Sequence, residues 1–154
     1  MRVARMAAGS TAIITAALGL SLSTAGPAAA ADSGSWRAYG NTNPITSSSS
    51  TWHCAGTKTI ATNVGAQVCA IRSQGGGSVQ AAVIVRNNRS SLYSVQAAMD
   101  LYGSSGKLGA WLCSSSGVGA NSWSVCFGKT LSQSGAVDSV GNANGVNLGI
   151  SPKV

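Results

Sequence analysis

The sequence predicts an all-β fold, a small disulfide-stapled antiparallel β-sandwich (Ig-like) with an extended N-terminal arm. Three observations predict it. The four cysteines fall into two pairs with the same local grammar, Trp52-His53-Cys54 answered by Val68-Cys69 and Trp111-Leu112-Cys113 answered by Val125-Cys126. Apolar and small residues alternate with a period of two over 64–71 and 122–128, as half-buried strands do and helices do not. Turn signals at Gly75-Gly76-Gly77, at 103–106 and at 117–121 recur at the short spacing of a sandwich.

The first element is an address rather than structure. Arg2 and Arg5 precede an apolar run over 11–22, and Pro27-Ala28-Ala29-Ala30-Ala31 closes it with a small-residue cleavage pattern, so 1–31 reads as a secretory signal peptide. The run is too short to span a bilayer, for which about 18 to 20 apolar residues are needed. A secreted, extracellular product without a membrane anchor is therefore expected, and an oxidising milieu suits paired cysteines.

The chain beyond the signal is basic. Arg37, Lys58, Arg72, Arg86, Arg89, Lys107, Lys129 and Lys153 face only Asp32, Asp100 and Asp138, a balance of +5, and glutamate is absent. That sign favours anionic polymers or acidic protein surfaces as partners. The cations are scattered singly, however, and do not interleave with aromatics as a nucleic-acid platform would. No nucleic acid is expected as a partner.

The segment 32–51 is polar, with the run Ser47-Ser48-Ser49-Ser50, and reads as a flexible arm and linker. It nevertheless carries Trp36, Tyr39, Pro44 and Ile45. Such anchors on a stretch unable to fold alone imply a surface to sit on, either this domain's own edge or another protein. The β-sandwich domain is then 52–154.

Within it, Ser78-Val79-Gln80-Ala81-Ala82 followed by Val83-Ile84-Val85 returns as Ser94-Val95-Gln96-Ala97-Ala98 followed by Met99-Asp100-Leu101, with the polar Asn87 to Ser91 between the copies. Two β-rich runs around a polar loop read as a hairpin, with Arg86 and Arg89 at its tip. Four cysteines allow three pairings. Turns near 63–65 and 117–119 would close Cys54 onto Cys69 and Cys113 onto Cys126 within local hairpins, so those are the expected bridges. Loops of roughly 15 residues are worth about 3 kcal/mol each in the chain-entropy model. Trp52 and Trp111 each precede a cysteine by two positions and so share its face, as packing beside the bridge. Alternation also places Trp123 with Val125 and Phe127 in the core.

Groups able to do chemistry are scarce. Beyond the signal there is one histidine, His53, and three aspartates. A glycosidase needs two carboxyls flanking a bond, and a Ser/His/Asp hydrolase would have to use His53, wedged between Trp52 and a bridged cysteine. No Gly-x-Ser-x-Gly elbow occurs. One histidine with bridged cysteines makes no zinc site, and no aspartate cluster suggests calcium. The expectation is no enzyme, no catalytic residue, no metal and no cofactor. Binding functions remain: an adaptor between proteins, a free cell-wall or carbohydrate-binding module using an exposed Trp, or a protease inhibitor with a bridged loop.

The signal with its Ala-rich end, the arm with Trp36 and Tyr39, the Ser-rich linker, the stapled segment 52–69, the strand 79–87 and Ser124-Val125-Cys126-Phe127-Gly128-Lys129-Thr130 together resemble the small secreted adaptor subunit of Streptomyces umbrella toxin particles. The likeness covers most of the chain beyond the signal and rests on layout. It implies a non-enzymatic adaptor whose arm threads into a cleft of a lectin-like protein while its body rests on the stalk of a large secreted polymorphic toxin, in an antibacterial particle, with no small-molecule substrate. The partner-binding residues expected on this reading are Trp36, Arg37, Tyr39, Pro44 and Ile45 on the arm, with Arg86 and Arg89 on the body. Deleting 32–44 should then leave a folded domain that no longer captures its partner.

Overall fold

The structure is a computed structural model that describes residues 30–154. The expected signal peptide lies, but for its last two residues, outside the described part. Twelve strands and no helix make up the described chain. They are β1 (Asp32–Ser33), β2 (Ser35–Gly40), β3 (Thr51–Cys54), β4 (Lys58–Ala61), β5 (Val64–Arg72), β6 (Ser78–Asn87), β7 (Tyr93–Gly103), β8 (Gly106–Val118), β9 (Ser122–Phe127), β10 (Leu131–Ser132), β11 (Asp138–Ala143) and β12 (Val146–Ile150). A five-stranded sheet has the order β1-β8-β7-β11-β12, and a seven-stranded sheet has the order β2-β9-β6-β5-β3, with β4 on β5 and β10 on β6. All pairings are antiparallel except β1 with β8. The chain is a disulfide-stapled β-sandwich.

Its core lies between the sheets. Val64, Ala66, Val68 and Ala70 of β5, Val79, Ala81, Val83 and Val85 of β6, and Val95, Ala97, Met99 and Leu101 of β7 turn their side chains together there. Period-two alternation in the sequence selects this set, because successive side chains of a strand point to opposite faces. The alternate residues of β5 and β6 are polar only toward the strand ends, however. Cys69, Ile71, Ala82 and Ile84, with Val125 of β9, form a second buried cluster on the outer face of the seven-stranded sheet. Strands buried on both sides read as continuous apolar runs, which is what 81–85 is.

Both expected bridges form, Cys54 to Cys69 and Cys113 to Cys126. They differ in kind. Cys54 and Cys69 face one another directly across β3 and β5, as a local bridge predicts. Cys113 is on β8 of the five-stranded sheet and Cys126 on β9 of the other, so the second bridge joins the two sheets and does not close a hairpin. Trp111 is 2% exposed in the inter-sheet core. A Cβ at Gly109 would overlap its ring and one at Gly128 would lie 2.6 Å from it, so both positions hold the indole by having no side chain.

The segment 32–51 is not an arm. β1 pairs with β8, the chain passes over the inter-sheet bridge at Gly34, and β2 pairs with β9. The stretch thus supplies an edge strand to each sheet. The reason is the alternation of β2 itself: Trp36 enters the inter-sheet core and Tyr39 the outer cluster, which lets a short polar strand bury something on each side. The Ser-rich stretch after it runs from Gly40, beside Trp123, to Thr51, beside Arg72 on the far edge. It crosses the outer face of the seven-stranded sheet with Pro44 buried and Ile45 packed on the second cluster. Deleting 32–44 would remove two strands and part of this cover, so it is no clean test of binding.

The repeated phrases do not form a hairpin either. β6 belongs to the seven-stranded sheet and β7 to the five-stranded one, and Asn87 to Leu92 is the crossover between layers. Asn87 directs it. Fully buried, its Nδ2 donates to the carbonyls of Ser91, Val118 and Gly119, and its Oδ1 accepts from the Arg89 N–H. Trp123 and Phe127 likewise leave the inter-sheet core to Cys126 and lie half-buried on the outer cluster. Arg72 closes the far end, its guanidinium donating to the carbonyls of Gly76, Gln133, Gly135 and Val154.

Candidate functional site

The outer face of the seven-stranded sheet gathers most of the residues with binding chemistry. Register sets them in rows. Trp123, Arg86, Gly65 and Thr59 stand side by side across β9, β6, β5 and β4, and the next row is Arg37, Val125, Ile84 and Gln67. A third row runs Phe127, Ala82, Cys69 and Cys54. Trp52 meets Phe127 edge to face with ring centroids 5.9 Å apart, a favourable arrangement for two aromatic quadrupoles.

Two arginines lie over aromatic rings of this face. The Arg37 guanidinium is 5.2 Å from the Tyr39 ring centroid and that of Arg86 is 5.2 Å from the Trp123 ring, within the range of cation–π attraction. Arg86 is further fixed by donating from Nε to Asn88 Oδ1 (2.6 Å) and from Nη1 to Asn41 Oδ1 and the Asn121 carbonyl (both 2.9 Å). Beside it a basin of about 140 Å³ is lined by Thr57, Gly65, Gln67, Ile84, Asn88 and Trp123 among others.

Charge is divided between the sheets. Strands of the seven-stranded sheet carry Arg37, Lys58, Arg72 and Arg86 and no acid, whereas all three aspartates, Asp32, Asp100 and Asp138, are on strands of the five-stranded sheet. Among the described residues the one ion pair is Lys107 to Asp100 at 2.7 Å, on the latter sheet. The Asp100 carboxylate, hydrogen-bonded to the Lys107 ammonium, raises the lysine above its ordinary pKa.

The outer face of the five-stranded sheet is different in kind. Its rows read Leu112, Ala98, Asn142, Asn147 and Ala110, Asp100, Val140, Ile150. Leu112 and Ile150 are 40% and 65% exposed, and a shallow groove of about 410 Å³ lies among Ala98, Asp100, Val140, Asn142 and Asn147.

The residues expected to bind a partner are thus divided. Arg37, Tyr39 and Arg86 are brought to one face, with Pro44 and Ile45 in the segment that covers part of it. Trp36 is turned inward, its Nε1 donating to the Ser114 carbonyl (2.7 Å). Arg89 sits at the crossover over the ring of Tyr93, not at a hairpin tip. Trp123 and Gln67 were missed as surface groups: alternation marks them as sharing a face, but not that this face is outermost. His53 is exposed on β3, with Nδ1 donating to the Lys153 carbonyl. The aspartates stand on the other sheet. Among the described residues no three His, Cys, Asp or Glu side chains cluster as a metal site, and no helix is long and apolar enough to cross a membrane. The two disulfides suit an oxidising, extracellular setting.

No protein-family model matches the chain, and no curated protein matches it either.

Proposed function

We propose that the protein is a non-enzymatic secreted adaptor that joins a lectin-like recognition protein to the stalk of a large polymorphic toxin in an antibacterial particle. The observation that carries this reading is the pair of chemically opposite outer faces. One is cationic and aromatic, with Arg37, Tyr39, Arg86 and Trp123; the other carries Asp100, paired with Lys107, and the exposed Leu112 and Ile150. Tyr, Trp and Arg dominate the energetics of protein interfaces, while the second face offers exposed Leu112 on β8 and Ile150 on β12, on either side of a shallow groove. A bridging protein needs two such faces with different preferences. The layout resemblance supplies the partner classes, and the arm in that picture becomes the edge strand β2 with its Arg37–Tyr39 pair.

The test is affinity purification of the tagged, signal-free chain from the native culture supernatant, with mass spectrometry of the proteins that accompany it. A large toxin-like chain recovered with a lectin-like one is the expected result. Arg37→Ser with Tyr39→Ser should then release one partner, and Leu112→Asp with Ile150→Asp the other. Recovery of the protein alone as a monomer, or its sedimentation with insoluble cell-wall polymer, would overturn the adaptor reading in favour of a free binding module.

A further inference from the structure

We infer that the basin between Gln67, Arg86 and Trp123 is a carboxylate site that receives an Asp or Glu side chain from an acidic segment of a partner protein. The inference deepens the adaptor reading and rests on it for the partner. Its chemistry stands on four observations.

The first is a fixed cation with a donor to spare. Three hydrogen bonds and the Trp123 ring hold the Arg86 guanidinium in place through Nε and Nη1, and Nη2 has no protein partner among the described residues. A guanidinium held this way loses little freedom on binding, which is where arginine outdoes lysine. The second is a converging amide. Thr57 Oγ1 donates to Gln67 Oε1 (2.9 Å), which engages the oxygen and leaves Nε2, without a protein partner among the described residues, as a donor. Gln67 lies opposite Ile84, and Arg86 lies opposite Gly65, so the two donors are diagonal neighbours, with Cα atoms about 7 to 8 Å apart. A carboxylate has two oxygens to bridge them.

The third is the floor. Ile84 is buried and Gly65 carries no side chain; the space a Cβ would take there is filled by the Thr57 methyl, 2.8 Å away. Charge-assisted hydrogen bonds over an apolar floor are stronger than in open water. The fourth is charge. No strand of this sheet bears an acid, so nothing within it neutralises Arg86, and an incoming carboxylate does.

A peptide fits better than an acidic sugar. Stacking on a sugar ring needs a free indole face, but the guanidinium of Arg86 lies over that of Trp123. One row away, exposed Arg37 stacks on Tyr39, a second cation placed for a neighbouring acid on the same segment.

The test is a heteronuclear NMR titration of the signal-free chain with a hexaglutamate peptide, with hexaglutamine and digalacturonate as parallel arms. Hexaglutamate should shift the Gln67 side-chain amide, the Arg86 Nε–H and the Trp123 indole N–H saturably, and hexaglutamine should not. Gln67→Met keeps every bond of Arg86 and should weaken binding about tenfold, as loss of one charge-assisted hydrogen bond would. Arg86→Gln should abolish it. Unsaturable shifts spread over Lys58, Lys129 and Lys153, or saturation by digalacturonate alone, would overturn the site. The two readings fail separately. A natural partner captured equally by wild type, Gln67→Met and Arg86→Gln would sink the site and leave the adaptor, whereas saturation by hexaglutamate without any captured partner would do the reverse.

Discussion

Cys113 and Cys126 stand on opposite sheets with their Cα atoms 6.1 Å apart, so one covalent bond spans the layers of the sandwich. Cys54 and Cys69 bridge strands that their own ladder already holds together. Separations of 13 and 15 residues give nearly equal loop entropies, about 3 kcal/mol each. Cys113 and Cys126 are both fully buried, however, whereas Cys54 is only half-buried on an edge strand. The double substitution Cys113→Ala/Cys126→Ala should therefore cost more than Cys54→Ala/Cys69→Ala, by roughly 1 to 2 kcal/mol for the packing lost between layers. Urea unfolding of the two variants measures this. Equal losses would mean that loop closure alone accounts for both bridges.

Gly34 is the point at which the N-terminal strand changes sheets. A Cβ there would lie 2.7 Å from Cys113 Sγ and 3.0 Å from the Phe127 carbonyl oxygen. Neither neighbour is the end of a flexible side chain, so Gly34→Ala should destabilise the fold by about 1 to 3 kcal/mol, as overpacking does. Gly56→Ala, with open space around its Cβ position, is the control and should be within about 0.5 kcal/mol of wild type. Thermal unfolding of both would decide it, and a neutral Gly34→Ala would show that β1 separates from the bridge easily.

The fold class and both bridges were legible because they depend on local signals: a period of two, turn residues at fixed intervals, and cysteines paired across short loops. The layer assignment was not. Ser78 to Val85 and Ser94 to Leu101 read as hairpin partners because their phrases match, yet pairing is decided by where the intervening chain is sent. Asn87 sends it across the sandwich through carbonyls of β8 and the turn after it, 31 and 32 residues away. Nothing next to Asn87 in sequence announces that. The segment 32–51 misled for a related reason. Its composition is that of a linker, and its order comes from Trp36, Tyr39, Pro44 and Ile45 finding surfaces built by strands far along the chain. For the candidate site, Arg37, Tyr39 and Arg86 were visible as residue types, but their convergence with Trp123 and Gln67 comes from sheet order, which a single sequence does not state.

Lys107 titrates above its ordinary value of 10.5, chiefly through its hydrogen bond to Asp100. A raised lysine pKa stabilises the fold fully at pH below the unfolded value, and the contribution is lost as pH rises through the folded value. Lys107 is exposed and Asp100 half-buried, so the pair is partly screened by salt. Stability should therefore be indifferent to Asp100→Asn above the folded pKa of Lys107, with any difference confined to lower pH. NMR titration of the Lys107 side chain should show its midpoint fall toward 10.5 in Asp100→Asn. An unchanged midpoint would remove Asp100 as the cause.

Asn87 offers the sharpest test of how the two sheets are joined. Its amide nitrogen reaches three carbonyls, of Ser91, Val118 and Gly119, at 2.8 to 3.0 Å, and its oxygen receives the Arg89 N–H at 3.0 Å. Asn87→Asp keeps shape and the Arg89 bond but replaces the donor with an acceptor aimed at three carbonyl oxygens, so it should be worse than Asn87→Ala. Truncation to Ala leaves the buried Val118 carbonyl and the part-buried carbonyls of Ser91 and Gly119 without this donor, at a cost of about 1 to 3 kcal/mol. The aspartate adds the burial of a charge among like partial charges, so its stability should fall below that of the alanine variant at neutral pH and recover in acid, where the protonated acid can donate again. Denaturation at both pH values reads the sign directly. If Asn87→Asp is as stable as wild type at neutral pH, the amide is not what steers the chain from one sheet to the other.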